Sequence, residues 1–225
     1  MTGQRRRSSR TLRCRALLFD MDGVLVDSRA VVERTCRRWA ALRHVDPEAL
    51  LRIAHGRRTR DTVRLVAPHL DVVDEVAWLD AAEALDFEGI VPVPGARALL
   101  DSLPPARWAL VTSAGRALAL RRLAAAGLPV PAVMVASEDI TDGKPAPDGY
   151  TLGAKLLGVH PSSCVVFEDA LPGIAAGRAA GAAVVGVCTM LAPEDLRDAD
   201  VIVRDLRDVR VSEAGSELVL EFSAA

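Results

Sequence analysis

The chain has 225 residues, 50% of them hydrophobic and 26% charged, with a formal net charge of -2. This composition excludes a disordered polypeptide and allows one or two globular domains with a substantial core. No apolar run is long enough to cross a bilayer, and the early run at 17–19 stops at Asp20. We therefore expect neither a membrane anchor nor a signal peptide, and we predict a cytoplasmic protein.

The chain begins with a strongly basic segment. Its first 15 residues contain no acidic side chain and several arginines: Arg5, Arg6, Arg7, Arg10, Arg13 and Arg15. Such a segment either binds nucleic acid or is a solvated tail. The absence of aromatic side chains for base stacking argues against a nucleic-acid partner. We therefore predict a basic, disordered tail at 1–14.

An apolar segment at 17–19 is followed by Asp20, Asp22 and Gly23. The segment predicts a buried strand, and side chains two apart on an extended chain share one side, so both carboxylates leave the sheet together. Two adjacent carboxylates repel unless a cation joins them or one is protonated. The pair is a candidate metal and acid/base site, although such a tetrapeptide alone is typical of ordinary polar turns.

Residues 29–86 have helical rather than strand periodicity. Four short amphipathic helices are predicted, at 30–42, 47–54, 60–66 and 72–85. Asp27-Ser28 precedes this block, and proline and glycine residues at 92–95 mark its end, because both residue types interrupt regular structure. The pattern predicts an inserted all-helical cap at 29–91.

Beyond residue 95, strands alternate with helices of about ten residues. Strands are predicted at 108–111, 132–135, 164–167, 183–187 and 201–203, and helices at 96–103, 116–126, 150–157 and 173–180. This alternation predicts an α/β fold, a Rossmann-like parallel sheet with helices on both faces, formed by 15–28 and 92–225. The segment 212–222 fits either one or two extra strands or a tail.

Polar residues also follow other predicted strands or precede a helix, and the carboxyl ends of parallel strands form the ligand-binding edge of such a sheet. These residues are Thr112-Ser113, Gly143-Lys144-Pro145 and Glu168-Asp169. Each alone is typical of a helix cap, a surface charge or a turn. Together with Asp20 and Asp22 they supply a nucleophile, an acid/base, donors for phosphate oxygens, a cation and carboxylates for a hard metal. Lysine is also rare here: only Lys144 and Lys155 occur among 28 basic residues.

The segments FDMDGVLVDS, LVTSA, GKPAPDGY and VFEDA resemble, in this order, the four motifs of the haloacid-dehalogenase-like hydrolases. The resemblance covers about residues 15–205. The helical cap between the first two motifs is similar to that of the beta-phosphoglucomutase and sugar-phosphatase branch. The runs RWALVTSAGR and VVFEDALPGIAAGRAAG particularly resemble the glycerol-3-phosphate and 2-deoxyglucose-6-phosphate phosphatases.

This resemblance implies a two-step mechanism in which Asp20 attacks phosphorus to form an aspartyl phosphate and Asp22 acts as acid and then as base. It assigns the phosphoryl oxygens to the Thr112 hydroxyl, the amides of Ser113 and Ala114, and Lys144. It assigns Mg²⁺ to Asp20, the backbone carbonyl of Asp22, and Asp169, with Glu168 acting through a bound water. In the cap, the match of His55-Gly56-Arg57-Arg58-Thr59 to the H-G-x-R-T of the glycerol-phosphate branch selects Arg58 as a substrate-binding residue; a solvated helix start fits the same residues.

We therefore predict a Mg²⁺-dependent phosphatase that acts, as a monomer, on a small phosphorylated sugar or polyol. One alternative is a phosphosugar mutase of the beta-phosphoglucomutase type. Those enzymes place a histidine ten residues beyond the second aspartate and a lysine in the cap, whereas this chain has Val32 and no lysine before Lys144. An alternative of another class is a noncatalytic phosphometabolite-binding protein, in which we would expect Asp20 or Asp22 to be lost.

Overall fold

The computed structural model describes residues 11–223. Its strands are β1 (Thr11–Cys14), β2 (Ala16–Phe19), β3 (Val26–Asp27), β4 (Val91–Pro92), β5 (Trp108–Val111), β6 (Met134–Val135), β7 (Cys164–Glu168), β8 (Ala183–Val187), β9 (Val201–Val203), β10 (Val209–Ala214) and β11 (Glu217–Phe222). Its α-helices are α1 (Arg29–Arg43), α2 (Pro47–Ala54), α3 (Thr59–Val66), α4 (Val72–Glu83), α5 (Ala96–Asp101), α6 (Arg116–Ala125), α7 (Asp148–Leu156) and α8 (Leu171–Ala179).

A six-stranded parallel sheet of order β6-β5-β2-β7-β8-β9 forms the centre of the fold. Strand β2 is wholly buried because both faces of the sheet are covered, which explains its uninterrupted apolar sequence. Phe19 lies in one apolar cluster with residues of α5 and α6, whereas Leu18 lies in a second cluster with residues of α7 and α8. The predicted α/β sheet with helices on both faces is confirmed.

A second, antiparallel sheet of order β1-β11-β10 differs from the prediction at the N-terminus. Residues 11–14 of the predicted tail form strand β1, with Cys14 buried and the exposed Arg13 bonded to Glu217 at 3.1 Å. Arginine on the solvent side of this strand hides its alternating pattern in a run of basic residues. The rest of the predicted tail lies outside the described residues. The sequence of segment 212–222 fits either extra strands or a tail, and in the structure this segment contributes to β10 and β11.

Helices α1 to α4 pack around an apolar cluster of their own, which includes Trp39, Leu50, Val63 and Leu79. They join the rest of the chain through β3 and β4, which pair antiparallel. Over residues 11–223, no helix combines the length and the apolar character needed to span a membrane. The cap is thus a small helical unit whose two connections lie side by side.

Candidate active site

The sheet order brings the predicted site residues to one edge, because β5, β2 and β7 are neighbours. Asp20 directly follows β2, Thr112 directly follows β5, and Glu168 ends β7. Carboxylate oxygens of Asp20, Glu168 and Asp169 lie within 4.8 Å of one another, and all three residues are buried. The structure therefore brings Asp20 of the first motif together with both acidic residues of the fourth motif.

Lys144 reaches this cluster from the loop before α7. Its Nζ donates to Asp20 Oδ1 at 2.5 Å and to Glu168 Oε1 at 2.6 Å, and the residue is only 6% exposed. Burial alone lowers the pKa of Lys144, but the two carboxylates outweigh burial and raise it, so the ammonium stays charged. The rare lysine is thus a buried cation held between two acids.

Tyr150 is a member of this cluster that sequence reasoning missed. Its hydroxyl donates to Glu168 Oε1 at 2.7 Å, and the residue is 1% exposed. Tyr150 lies six residues after Lys144 and ends the third motif, which is the one signal that pointed to it. Glu168 Oε2 also accepts from the backbone amides of Asp169 and Ala170, at 3.0 and 3.2 Å. Four donors of the chain therefore occupy both oxygens of Glu168, an arrangement that holds Lys144 and the following loop.

Two buried carboxyl groups of the cluster have raised pKa values. Burial, only partly opposed by Lys144, raises the pKa of Asp20 to about 7. Burial and the charges of Glu168 and Asp20 raise the pKa of Asp169 well above its usual range. Among the described residues no donor hydrogen-bonds the Asp169 side chain, which is 3% exposed. A buried carboxylate without a donor beside two other acids has the chemistry of a hard-cation site, so these residues fit Mg²⁺.

Glycine is required at two positions against this cluster. Gly23 has a φ of +84°, and a Cβ there would lie 1.9 Å from Asp169 Oδ2. A Cβ at Gly173 would lie 1.7 Å from Glu168 Oε1. Any side chain at either position would displace a carboxylate of the cluster, so the bare backbone is part of the site.

Asp22 lies at the entrance of the cluster with both carboxylate oxygens occupied. Oδ1 accepts from Ser28 Oγ at 2.6 Å, and Oδ2 accepts from Arg122 at 2.9 Å. Sequence reasoning missed Arg122 because it lies in the last turn of α6, within a run of helix-forming residues that carries no motif. Each of the two aspartates thus has its own cation, Lys144 for Asp20 and Arg122 for Asp22.

The predicted phosphate donors of the second motif lie together, and one of them, the Ala114 amide, already has a partner within the chain. Ala114 N donates to Thr112 Oγ1 at 3.1 Å, so this amide is engaged in the present conformation. The Ser113 hydroxyl donates to the carbonyl of Gly56 in the cap at 3.0 Å. Thr112, Ser113 and Ala114 all line the same cavity as Asp20. The second motif therefore faces the cavity and also contacts the cap.

The structure places Arg58, the predicted substrate-binding residue of the cap, between the cap and the core. The side chain does not line the cavity; it is 5% exposed and bonds Asp61 at 2.7 Å and the carbonyl of Thr141 at 2.9 Å. Arg58 directly precedes α3, and its extended backbone directs the side chain toward the core loop at 140–143. The neighbouring Arg57 lines the cavity instead.

A cavity of about 110 Å³ lies between the cap and the sheet edge. The core contributes Asp20, Asp22 and the second motif to its wall. The cap contributes both apolar and polar side chains: Val32, Leu50, His55, Arg57, Thr62, Leu79, Asp80 and Glu83. The arrangement thus combines a buried acid and cation with a small mixed pocket closed by the cap.

Residues 14–181 match the model of the haloacid dehalogenase-like hydrolases. The chain is 40% identical over 206 residues to "Hexitol phosphatase A" of Escherichia coli (strain K12), covering 89% of this chain and 95% of that protein. It is 32% identical over 221 residues to "Glycerol-1-phosphate phosphohydrolase 2" of Saccharomyces cerevisiae, covering 92% of this chain and 88% of that protein.

The crystal structure of beta-phosphoglucomutase from Clostridium difficile has a TM-score of 0.73 to this chain at 21% identity, covering 88% of this chain and 93% of that one. This likeness concerns the fold alone. The family match covers most of the described chain and includes the acidic residues gathered at the sheet edge. The chain belongs to the haloacid dehalogenase-like hydrolase family.

Proposed function

We propose that this hydrolase is a Mg²⁺-dependent phosphatase of small phosphorylated sugars or polyols that works through an aspartyl phosphate on Asp20. The observation that carries the proposal is the position of Asp20. It is buried at the end of β2, 2.5 Å from the Lys144 ammonium and beside Asp169, whose side chain accepts no hydrogen bond from residues 11–223. A buried cation orients the Asp20 carboxylate and offsets its charge, as a nucleophile that approaches an anionic phosphoryl group requires.

Asp20, the backbone carbonyl of Asp22 and Asp169 would hold Mg²⁺, with Glu168 acting through a bound water. When bound, the ion offsets negative charge on the phosphoryl group and on the carboxylates around it. Few protein ligands and several remaining positions for water and phosphate are what Mg²⁺ prefers. Glu168, with four donors from the chain, supports an indirect rather than a direct contact.

The chain's own residues divide the reaction into two steps. Asp20 Oδ attacks phosphorus, the bond from phosphorus to the leaving oxygen breaks, and Asp22 gives that oxygen a proton. Water then attacks the aspartyl phosphate, Asp22 takes the proton of the water, and the bond to Asp20 breaks. The Thr112 hydroxyl, the amides of Ser113 and Ala114, and Lys144 would bind the phosphoryl oxygens, with the Ala114 amide released from Thr112.

The cavity supports a small, hydroxylated leaving group. Its volume of about 110 Å³ limits the size of the group, and its cap wall mixes aliphatic side chains with carboxylates that can accept from hydroxyls. The names of the hexitol and glycerol-1-phosphate relatives agree with such a substrate. Val32, where the phosphosugar mutases place a histidine, contributes an apolar side chain to the wall, which supports hydrolysis over transfer between two sugar positions.

The test is release of inorganic phosphate from hexitol phosphates, glycerol phosphates and 2-deoxyglucose 6-phosphate, with Mg²⁺ and with a chelator. Wild type should hydrolyse at least one of these substrates when Mg²⁺ is present and none when it is chelated. The rate of Asp20→Asn should fall below about 1% of the wild-type rate, because an amide is a poor nucleophile. Asp27→Asn, in the same segment but outside the cavity, is the matched control and should stay within about twofold.

Three outcomes would contradict the proposal. Binding of phosphorylated metabolites by wild type without turnover would favour the noncatalytic alternative. Interconversion of sugar 1- and 6-phosphates faster than hydrolysis would favour a mutase. Full activity of the Asp20→Asn protein, with its amide intact by mass spectrometry, would remove Asp20 as the nucleophile.

A further inference from the structure

Arg122 lies between the candidate acid/base and the cap. It belongs to α6 of the core, and its terminal nitrogens bond two acids: Nη1 donates to Asp22 Oδ2 at 2.9 Å, and Nη2 donates to Glu83 Oε2 at 2.8 Å. Glu83 is the last residue of α4 in the cap. The Arg122 guanidinium therefore connects Asp22, the candidate acid/base, with helix α4 of the cap.

These two acids are what hold the guanidinium. Arg122 is 3% exposed, and its Nε has no hydrogen-bond partner in the part of the chain that the structure describes. The guanidinium is planar and rigid, so the direction of one terminal nitrogen fixes that of the other. The orientation of Asp22 therefore depends on where the cap places Glu83. The Ser28 hydroxyl fixes only the other oxygen of Asp22.

The charge of Arg122 also has no substitute at this position. Asp22, Asp80 and Glu83 all line the cavity, and Arg122 is the cation that directly bonds two of them. Of the other buried cations in the described part of the chain, Lys144 is bonded to Asp20 and Glu168, and Arg58 is bonded to Asp61. Replacing Arg122 with a neutral residue would leave Asp22 and Glu83 as facing like charges, and their repulsion would turn Asp22 away and push α4 outward.

We propose that Arg122 is a positioning residue that orients Asp22 and, through Glu83, makes that orientation depend on the closed cap. The proposal rests on the phosphatase function proposed above. Asp22 gives a proton to the leaving oxygen in the first step and takes one from water in the second, so a misplaced Asp22 slows both steps for an alkyl phosphate. With p-nitrophenyl phosphate the leaving group departs without a proton, and only the second step needs Asp22.

Stopped-flow turnover of p-nitrophenyl phosphate with saturating Mg²⁺ separates the two steps. Arg122→Met should release about one equivalent of p-nitrophenolate in a burst, and the rate of this burst should lie within about threefold of the wild-type first step. Its steady-state turnover should then be about 10²-fold slower than that of wild type. Arg121→Met is the matched control, because Arg121 is the preceding residue of α6 and bonds the cap at the Ala84 carbonyl, 2.9 Å away, without touching Asp22. Both of its rates should stay within about twofold of wild type.

A second readout tests whether Arg122 acts through Asp22. In an Asp22→Asn background, Arg122→Met should cost less than about twofold, because the group it positions is already lost. Glu83→Gln should retain the burst and slow the steady state about tenfold, which tests the dependence on the cap. Equal losses from Arg122→Met in both backgrounds, or a wild-type steady state in Glu83→Gln, would overturn the proposal.

If Arg122→Met shows no burst, Arg122→Lys provides a second test of the proposal. It keeps the charge but not the planar fork, so its burst should persist and its steady state should fall about tenfold. A wild-type steady state in Arg122→Lys would overturn the proposal, as would loss of the burst from both variants, which would make Arg122 a folding requirement. A wild-type protein without Mg²⁺-dependent turnover would instead refute the phosphatase function itself.

Discussion

Substitution of Lys144 by arginine keeps the charge and tests the shape of the cation. The Lys144 Nζ lies 2.5 and 2.6 Å from oxygens of Asp20 and Glu168, and 5.3 Å from the centroid of the Tyr150 ring. A guanidinium nitrogen at the position of Nζ would force the remainder of its plane into the space of Tyr150 or of the phosphoryl group. Asp20 would then have to move by about 1 Å, a displacement that costs about 10²-fold in rate, or about 2.7 kcal/mol of barrier.

Lys144→Arg should also lower stability. The extra volume of arginine at a site that is 6% exposed should lower the free energy of unfolding by about 1 to 3 kcal/mol, measured by urea denaturation. Activity is measured as kcat/KM for a polyol phosphate with Mg²⁺. Lys155→Arg is the matched control, because Lys155 is the other lysine of the chain and is exposed on α7. A folded Lys144→Arg protein within about threefold of wild type in kcat/KM would refute the requirement for a compact ammonium.

Three further predictions concern the groups around this pair. Tyr150→Phe should lower the free energy of unfolding by about 1.5 to 3 kcal/mol in urea denaturation, because Glu168 loses a buried donor at 2.7 Å. An unchanged free energy of unfolding would show that this hydrogen bond does not stabilise the fold. Arg58→Met should raise KM equally for a polyol phosphate and p-nitrophenyl phosphate, because its bond to the Thr141 carbonyl closes the cap, whereas a loss confined to the polyol phosphate would restore Arg58 as a substrate ligand. Burial raises the pKa of Asp20 to about 7, so the free energy of unfolding of the metal-free protein should fall as pH rises through that value. Mg²⁺ needs the ionised carboxylate, so calorimetry should show binding about tenfold tighter at pH 8 than at pH 6. Equal affinity at the two pH values would contradict this role of Asp20.

The sheet and its acidic edge could be predicted because their signals are local. Strands β2, β5 and β7 are buried on both faces, so each is a continuous apolar run, and the polar residue that ends each run marks where the strand leaves the core. The sheet order then brings these ends together. Asp20, Thr112 and Glu168 were therefore identifiable from sequence as neighbours.

Other parts of the site depend on contacts between residues far apart in the chain. Arg122 is 100 residues from Asp22, and nothing in α6 distinguishes it from the exposed Arg121 until the helix is packed against the cap. Arg58 and Arg57 are adjacent, and the backbone before α3 decides which one enters the cavity. In a chain with this many arginines, neither residue type nor periodicity separates a site residue from a surface residue.

The contacts that close the cap are polar, and this suits a lid. The apolar cluster of the cap is separate from the two clusters of the core, and α1 contributes Val31, near its junction with β3, to the core cluster that contains Phe19. Closure also uses polar contacts: Arg58 on the Thr141 carbonyl, Ser113 on the Gly56 carbonyl, Arg121 on the Ala84 carbonyl and Arg122 on Glu83. Because each such bond is exchanged for bonds to water on opening, each contributes only about 0.5 to 1.5 kcal/mol, or up to about 3 where a charge is involved. Opening would therefore cost a few kcal/mol, which is small enough for substrate to enter and phosphate to leave in each cycle.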